Sequence, residues 1–419
     1  MSTLNNILDE VTEYYLHTSR DFNGLPSYNI NNYDETMLKE LITEEKILII
    51  TEFEDINPHI KRFDYKIPIQ TQIEYVSKRV NFVAYPTSKY LKSLPIFEER
   101  PFTKMLCMGE PQLKFLYFNA DVLSTYFNNP QYMISDHGYG GSISIKDTFY
   151  KEDDPINSEY IQNYGLATRK KAERKERYVG LILRDLNKLN VEGQSKFRGF
   201  LLPNQNEYII EENCYTNLIQ GNFVMDFWIF DVLLKEIEYI NQMSKNMGLP
   251  PLFNNTISTR SLWTETPDYR NILVPTLKNY YRFVTALEKI TVQSINVKFF
   301  QTKVVGFITI PKENGQTNPH TLKIFEDWLD KNKEVFSSDD LFKDKIITPL
   351  RDLRKERQKP AHKEIEDKYD IDLFTQQDEL IRNIFTAIRE IRKFFSQHPN
   401  NKEIKIPAYF NDDKRIRNY

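Results

Sequence analysis

The chain has 419 residues, a formal net charge of −3 and a hydrophobic content of 40%. This length predicts two domains, because a single hydrophobic core rarely grows beyond about 250–300 residues. The composition is typical of a globular interior and excludes a wholly disordered chain. The small net charge indicates no partner by itself, so a nucleic acid would have to be held by a local basic patch.

Several function classes are excluded by the motifs. The patterns GxxxxGK[ST] and GxGxxG are absent, so neither a P-loop nor a dinucleotide-binding fold is predicted. Two cysteines, Cys107 and Cys214, are too few for a disulfide framework or a zinc cage, which fits a reducing compartment. The acidic N-terminus MSTLNNILDEVTEYY does not resemble a secretory signal, and no apolar run approaches the roughly 20 residues of a membrane span. We expect a cytoplasmic protein without membrane contact, and its Lys, Asn and Ile usage indicates a bacterial source.

Residues 1–248 are predicted to form a mixed α/β domain. Short runs of β-branched and aromatic residues predict strands, and glycines between two strand-like ends predict a hairpin. The predicted strands are KILIITEF (47–54), QLKFLYF (112–118), the hairpin ISDHGYGGSISI (134–145), ERYVGLILRDL (176–186) and SKFRGFLLP (195–203), the last two joined by the polar connector NKLNVEGQ (187–194).

A long helix closes this half of the chain. Apolar residues recur at helical spacing until Gly248, and two prolines follow. The spaced residues are Leu233, Ile237, Ile240 and Met243. The turn-rich stretch 249–265 is predicted to be a linker between the two domains.

Residues 266–419 are predicted to form a four-helix domain, which makes the whole chain an α+β protein. Each helix has an apolar stripe and a start signal of a capping residue, a first-turn proline, or a capping box. The start signals are Thr276, Asn318 with Pro319, Thr348 with Pro349, and Thr375 with Asp378. The stripes are Leu277, Tyr280, Val284, Leu287 and Ile295; Leu322, Phe325 and Leu329; Leu350 and Leu353; and Leu380, Ile384, Ile388, Ile391 and Phe395. The segment KVVGFITI (303–310) fits either a strand or a helix continuation.

The stretch RKERQKPAH (354–362) carries the candidate site. Pro360 lacks an amide hydrogen and clashes with the preceding turn, so the third helix should kink or end there. On an unbroken helix Arg357 and His362 would point about 140° apart. A break in the helix lets these two side chains converge on one side.

Other charged residues were weighed as alternatives. Arg392 and His398 have a similar spacing, but a histidine at the end of a helix more often interacts with its negative end, so we expect His398 to be a capping residue. The run RKKAERKER (169–177) mixes both signs and is predicted to be a solvated surface, with RNA or partner contact as the alternative. Asp136 and His137 have no third group at a recognisable spacing, which favours a simple hairpin turn over a site.

A helical bundle with an arginine, a polar residue, three further residues and a histidine near the end of its third helix resembles the HEPN superfamily (higher eukaryotes and prokaryotes nucleotide-binding domain). The motif here is Arg357-Gln358-Lys359-Pro360-Ala361-His362, and the resemblance covers roughly residues 266–400. It implies a metal-independent endoribonuclease that uses no cofactor, with Arg357, His362 and Gln358 as catalytic residues. The family more often has Asn, Asp or His where this chain has Gln358.

The residue types suit that chemistry. RNA supplies its own nucleophile, the 2′-hydroxyl, so cleavage needs a proton carrier and a cation for the phosphorane. A histidine titrates near neutrality, and an arginine stays protonated and binds two phosphate oxygens at once. Nearby cations would add sequence-independent attraction for RNA phosphates. These cations are Arg351, Arg354, Lys355, Lys359 and Lys363.

Three interpretations remain open for this helix. The first is a bacterial endoribonuclease of phage-defence, abortive-infection or toxin type, as the resemblance implies, with the N-terminal half sensing a trigger or binding a regulatory partner. The second is a catalytically inactive module that binds RNA or a partner protein. The third is a structural helix with a solvated charged face. For the first we expect a homodimer through the C-terminal domain, because HEPN nucleases commonly build composite sites and one Arg357–His362 pair supplies a single proton carrier.

Overall fold

The computed structural model describes residues 2–17, 23–31, 33–51, 67–95, 99–149, 160–254, 267–310, 321–336, 343–359 and 366–419. The chain divides into two compact units. The first consists of Met1–Val122, Asp147–Tyr164 and Gly180–Gln205, and the second of Leu123–Lys146, Gly165–Val179 and Asn206–Tyr419. This division differs from the predicted boundary at residues 249–265, because the second unit also takes residues from the first half of the chain.

The secondary structure is mixed in the first half and helical in the second, which confirms the predicted α+β class. The helices are α1 (Ser2–His17), α2 (Glu35–Thr43), α3 (Ile69–Ser77), α4 (Ser88–Lys92), α5 (Pro101–Cys107), α6 (Ser124–Phe127), α7 (Leu183–Asn187), α8 (Val191–Gly199), α9 (Glu212–Leu218), α10 (Ile229–Asn246), α11 (Leu277–Ile290), α12 (Val297–Gln301), α13 (Thr321–Asn332), α14 (Thr348–Gln358) and α15 (Asp372–Ser396). The strands are β1 (Leu25–Pro26), β2 (Ile47–Thr51), β3 (Phe82–Pro86), β4 (Phe115–Asn119), β5 (Tyr132–Asp136), β6 (Gly140–Ile145), β7 (Asn163–Arg169), β8 (Tyr178–Ile182), β9 (Tyr208–Ile210), β10 (Phe227–Trp228) and β11 (Ile416–Arg417).

The first unit contains a three-stranded sheet in the order β1-β3-β2. Strands β2 and β3 pair antiparallel, from Ile47 opposite Pro86 to Thr51 opposite Phe82. The predicted strand at 47–54 is therefore present, and its last three residues lie outside the described residues. The β2 run is almost fully buried, as expected for a strand covered on both faces.

The predicted strand at residues 195–203 is wrong. Most of it belongs to the helix α8, because Asn190 caps that helix by accepting a hydrogen bond from the Gly193 N–H at 2.8 Å. The fully buried Gln194 side chain, which the pattern placed in a polar connector, accepts hydrogen bonds from the N–H groups of Phe102 and Thr103. Gln194 therefore caps the helix α5, whose first residue is a proline.

In the second unit, β5 and β6 form the predicted hairpin. They pair antiparallel from Tyr132 opposite Ile145 to Asp136 opposite Gly141. Gly138 adopts a φ of 83°, which a glycine accommodates at no steric cost. Two shorter ladders belong to the same unit: β7 pairs with β9 antiparallel, and β10 pairs with β11 in parallel.

The helix α10 belongs to the helical core of the second unit, although the sequence placed it in the N-terminal domain. Its apolar stripe is buried as predicted, and Gly248 follows it with a φ of 78°. α10 packs along α15, where the buried Glu236 carboxylate lies between the guanidinium groups of Arg389 and Arg392. Part of the predicted linker is also core, since Leu252 and Phe253 are fully buried.

The four predicted C-terminal helices are present as α11, α13, α14 and α15, and the ends of α11 and α14 differ from the prediction. Thr276 caps α11 as predicted, but the first helix stops at Ile290 and resumes as the short α12. α14 has Pro349 in its first turn, yet Thr348 is not its cap, because the turn Lys343–Ile347 runs directly into the helix. The cap signal at Asn318 and Pro319 lies outside the described residues.

The predicted capping box at Thr375 and Asp378 is wrong. α15 begins at Asp372, so both residues lie inside the helix. The apolar stripe of α15 is buried as predicted, except that Leu380 is only partly buried.

The segment 303–310 is neither strand nor helix. It turns at Gly306, whose φ is 93°, and Val305 is fully exposed. Phe307 stacks on Trp328 of α13 with ring centroids 5.7 Å apart, so the segment is attached to the core through this ring.

Candidate functional site

The helix α14 presents one apolar face to the core and one charged face to solvent. Leu350 and Leu353 are fully buried, as the sequence predicts, and the preceding Ile346 and Ile347 continue the same apolar surface. The regular helix ends at Gln358, two residues before Pro360. Pro360 lies outside the described residues, so a break at this proline stays a prediction from the sequence.

Arg357 lies in the last turn of α14 and its side chain remains 39% exposed. Its Nε atom is 3.5 Å from the Oε2 atom of Glu288 on α11. At this distance the two side chains form an ion pair, but the Arg357 Nε–H does not make a short hydrogen bond to the carboxylate. Among the described residues no other carboxylate pairs with Arg357, and none of them accepts a hydrogen bond from its guanidinium.

Glu288 is buried, with only 3% of the residue exposed. Its Oε2 atom also accepts a hydrogen bond from the side-chain amide of Gln293. A buried carboxylate is costly unless it is paired and hydrogen-bonded, so Arg357 and Gln293 together satisfy it. The ion pair therefore fixes the position of the Arg357 guanidinium, and no described residue occupies its N–H donors.

Arg351, at the other end of α14, is bound more tightly. Its Nη2 atom donates to the Oε2 atom of Glu326 at 2.7 Å, and Glu326 on α13 is only 5% exposed. Hydrogen bonds from the Arg351 guanidinium hold the pKa of the Glu326 carboxyl below its usual value. Arg351 thus joins α14 to α13, and little of its charge is available to a ligand.

The remaining cations of α14 are more accessible. Lys355 pairs with Asp352 at 2.9 Å, and Lys359 pairs with Glu356, all within the same helix. Arg354 has no ion pair with any of the described residues. Exposed pairs of this kind contribute about 0–1 kcal/mol, so an RNA phosphate can replace the carboxylate at small cost.

Of the eight predicted site residues, five lie on α14 and a sixth, Lys359, directly follows it. Gln358 is exposed at the end of α14 beside Arg357. His362 and Lys363 lie outside the described residues, and so does Pro360. The distance between Arg357 and His362 therefore stays a prediction from the sequence.

Of the alternative pair, Arg392 belongs to the core and His398 is only partly buried. Arg392 is 3% exposed, and its Nε donates to the buried Glu236 carboxylate. His398 stacks on Phe307 at 5.4 Å, and its Nδ1 accepts a hydrogen bond from the Asn400 N–H at 3.2 Å. Burial lowers the pKa of His398. The sequence predicted that His398 caps the end of α15. In the structure this histidine instead caps the turn that follows the helix.

Two features of this region were missed by sequence reasoning. Glu288 falls on the buried stripe of α11, four residues after Val284, and a charged residue on an apolar stripe was the available signal. The run 169–177 was predicted to be solvated, but its last residue, Arg177, is 5% exposed and Lys175 pairs with Asp378. The prediction is correct for the exposed residues Lys170, Lys171 and Arg174.

The cysteines and possible metal ligands indicate no other chemistry in the described part of the chain. Cys107 and Cys214 are both buried, and burial raises the pKa of Cys214 to about 12, so the thiol stays protonated and unreactive. No group of three or more His, Cys, Asp or Glu side chains among the described residues has the arrangement of a metal site.

Comparisons with known proteins give no family assignment. No protein-family model matches the chain, and neither a curated protein nor a solved structure matches it. Within the described ranges, no helix combines the length and the apolar character needed to cross a bilayer.

Proposed function

We propose that the chain is a metal-independent endoribonuclease of the HEPN type, with Arg357, His362 and Gln358 at its catalytic site. The observation that supports this most is the state of Arg357. Its side chain is 39% exposed, pairs with one buried carboxylate at 3.5 Å, and donates no hydrogen bond to any of the described residues, so its N–H groups can bind a ligand. An arginine that served only as a structural link would be expected to resemble Arg351, which is hydrogen-bonded to its carboxylate at 2.7 Å.

The proposed reaction uses the 2′-hydroxyl of RNA as the nucleophile. His362 takes the proton from this hydroxyl as it attacks phosphorus, and the P–O5′ bond breaks. The leaving 5′ oxygen gains a proton from a second acid, and the products carry a 2′,3′-cyclic phosphate and a 5′-hydroxyl. Arg357 neutralises the negative charge that grows on the phosphorane oxygens, and Gln358 donates an amide hydrogen bond beside it.

The cations of α14 give this site its affinity for RNA. Arg354, Lys355, Lys359 and Lys363 attract phosphates without regard to sequence. Arg351 contributes less, because the buried Glu326 competes for its charge. In the cell we place this activity in bacterial phage defence, abortive infection or a toxin system, in the cytoplasm, with RNA and a second copy of the chain as partners.

A second function is favoured by the ion pair itself. Because Glu288 neutralises Arg357, the helix can bind RNA or a partner protein without cleaving it. This non-catalytic module would bind RNA in a salt-sensitive way. In a plot of the logarithm of the association constant against the logarithm of the salt concentration, the slope for single-stranded RNA would become shallower by about 0.7 for each cation–phosphate contact that a mutation removes.

One experiment separates the two functions. The purified protein is incubated with total RNA in EDTA, and fragments are examined for 2′,3′-cyclic phosphate ends. We expect cleavage by the wild-type protein and its loss in His362→Ala and Arg357→Lys. Arg357→Lys keeps a cation beside Glu288, so the fold is retained while the two-oxygen contact is lost. Removing such an electrostatic donor costs on the order of 10² to 10³ in rate.

Two matched controls accompany these variants. His398→Ala removes a partly buried histidine after α15, and Arg382→Ala removes an exposed arginine of α15. Both should cleave like the wild type. Intact RNA with measurable, salt-sensitive binding in every sample would leave the binding module as the function. Cleavage that survives in His362→Ala would refute the assignment of the catalytic residues.

A further inference from the structure

A cleft of about 300 Å³ lies in the second unit, away from the residues assigned to catalysis. Its walls come from residues 126–136 around the start of β5, from Lys146 after β6, and from residues 267–282 at the start of α11. All of these residues are described. The volume is at the lower end of the roughly 300–1,000 Å³ that small-molecule sites occupy, so it fits a compact ligand.

Three cations line this cleft, against two carboxylates. The cations are Lys146, Arg270 and Arg282. Neither Lys146 nor Arg282 forms an ion pair with a carboxylate anywhere in the described part of the chain. Arg282 donates a long hydrogen bond from Nη1 to the Oδ1 atom of the neutral Asn128 side chain, at 3.5 Å. The cations of α14 differ, because most of them already have carboxylate partners. The cleft therefore has cationic charge available for an anion.

Aromatic rings form another part of the lining. The guanidinium of Arg270 lies over the Phe127 ring at 3.8 Å from its centroid. Tyr126 and Tyr132 meet edge to face, with centroids 5.1 Å apart. Flat aromatic and guanidinium groups are the surfaces on which nucleobases stack in proteins. The side-chain amides of Asn128 and Asn129, which also line the cleft, can donate and accept hydrogen bonds at a base edge.

The carboxyl group of Asp136 completes the lining. The residue is 4% exposed, and its Oδ1 accepts a hydrogen bond from the Gly138 N–H at 2.8 Å. Burial raises the pKa of Asp136 to about 6, opposed by that hydrogen bond and by Arg270 and Arg177. A carboxyl that titrates near neutrality can accept a hydrogen bond from a base edge or donate one to it.

We infer that this cleft is a binding site for a nucleoside monophosphate, with Arg282 and Lys146 on the phosphate and the aromatic wall at Phe127 and Arg270 on the base. Two kinds of groups in the cleft support the inference. Lys146 and Arg282, which have no carboxylate partner among the described residues, favour a phosphate, and the aromatic rings and side-chain amides favour a base. The cleft volume limits the ligand to about one nucleotide. The site is independent of the proposed ribonuclease activity. Arg282 of this cleft and Glu288, the partner of Arg357, lie on the same helix, α11.

The test is isothermal titration calorimetry on the full chain with AMP, GMP, CMP and UMP in turn. We expect at least one of them to bind. Arg282→Ala and Lys146→Ala should each weaken that binding on the order of tenfold to a hundredfold, as for the loss of a charged hydrogen bond. Lys289→Ala, an exposed cation of the same helix outside the cleft, should bind like the wild type.

Two further ligands test the two halves of the site. The nucleoside without phosphate and ribose 5-phosphate without a base should each bind at least tenfold more weakly than the nucleotide. Inorganic phosphate that binds as tightly as the nucleotide would overturn the base contact. The inference as a whole fails if no nucleotide binds at millimolar concentration, or if Arg282→Ala and Lys146→Ala bind unchanged. Arg357→Lys should leave nucleotide binding intact, so this result does not depend on the ribonuclease assay.

Discussion

The Nη2 atom of Arg177 lies 3.1 Å from the Oδ1 atom of Asp378, although 201 positions separate the two residues in the chain. The same guanidinium donates to the Gln377 side chain at 2.8 Å and to the carbonyl oxygens of Ile272 and Tyr419. One buried arginine of the second unit therefore contacts α15, the segment before α11 and the last residue of the chain.

This arrangement predicts a large loss of stability in Arg177→Met. The change leaves Asp378 and several buried acceptors without their donor, and removing one partner of a buried ion pair costs about 3–5 kcal/mol. Urea unfolding at pH 7 measures it. Arg174→Met is the matched control, because Arg174 and its partner Asp372 are both more than half exposed, so its effect should stay within about 0.5 kcal/mol. Equal losses in the two variants would contradict a structural role specific to Arg177.

The Arg177 contacts also show what the sequence could and could not predict. The strand β2, the hairpin of β5 and β6, and the stripes of α10, α11 and α15 follow from local periodicity, and all were predicted. Arg177 and Asp378 were assigned from their neighbours, one to a solvated run and one to a capping box. Their partners are distant in the chain, and no local pattern encodes a pairing across 201 positions.

The candidate site is subject to the same limit. The burial of Leu350 and Leu353 follows from local apolar spacing. The carboxylate that orients Arg357 does not, because Glu288 is contributed by another helix. Local patterns identify the charged helix, and tertiary packing decides which of its cations are already paired.

Glu288→Gln tests whether this carboxylate acts through Arg357. The amide keeps the shape of the side chain but removes the charge that holds the guanidinium, so kcat for RNA cleavage should fall on the order of tenfold to a hundredfold with little change in KM. In an Arg357→Lys background the same change should have a much smaller effect, because residues that act together are not additive. Fully additive losses would mean that Glu288 matters for another reason.

The contribution of Asp231 to stability should fall as the pH rises from about 4 to about 7. Burial raises the pKa of Asp231 to about 7, and the neighbouring Asp136 carboxyl adds to this, while Lys235 opposes it. The Oδ1 atom of Asp231 is buried and has no hydrogen-bond partner among the described residues. Between the ordinary pKa of 3.8 and the raised value the folded state holds more protons than the unfolded state, so raising the pH favours unfolding.

Asp231→Asn removes the ionisation and should stabilise the protein at pH 8 by on the order of 1–3 kcal/mol, with little effect near pH 4. Melting temperatures from pH 4 to 8.5 measure this. Asp330→Asn, at an exposed position, is the matched control and should follow the wild type. A difference in melting temperature between Asp231→Asn and the wild type that stays the same from pH 4 to 8.5 would show that Asp231 is ionised without penalty.

Active protein should be a homodimer joined through its C-terminal helices. One Arg357–His362 pair supplies one cation and one proton carrier, whereas in-line cleavage uses both an acid and a base. A two-fold axis near α14 would bring two such pairs together, because a two-fold interface is made of the same surface on both copies. Repulsion between the two sets of cations opposes this approach, and Asp352, Glu356 and the RNA phosphates offset it.

Light scattering measures the mass directly, and we expect about twice the chain mass of 49.9 kDa. Mixing an Arg357→Lys chain with a His362→Ala chain then tests whether the sites are shared. In shared sites the mixed dimers combine an intact arginine from one copy with an intact histidine from the other, so the mixture should cleave RNA faster than either variant alone. Separate sites would give only the average of the two variants. A strictly monomeric protein with full nuclease activity would exclude the composite site.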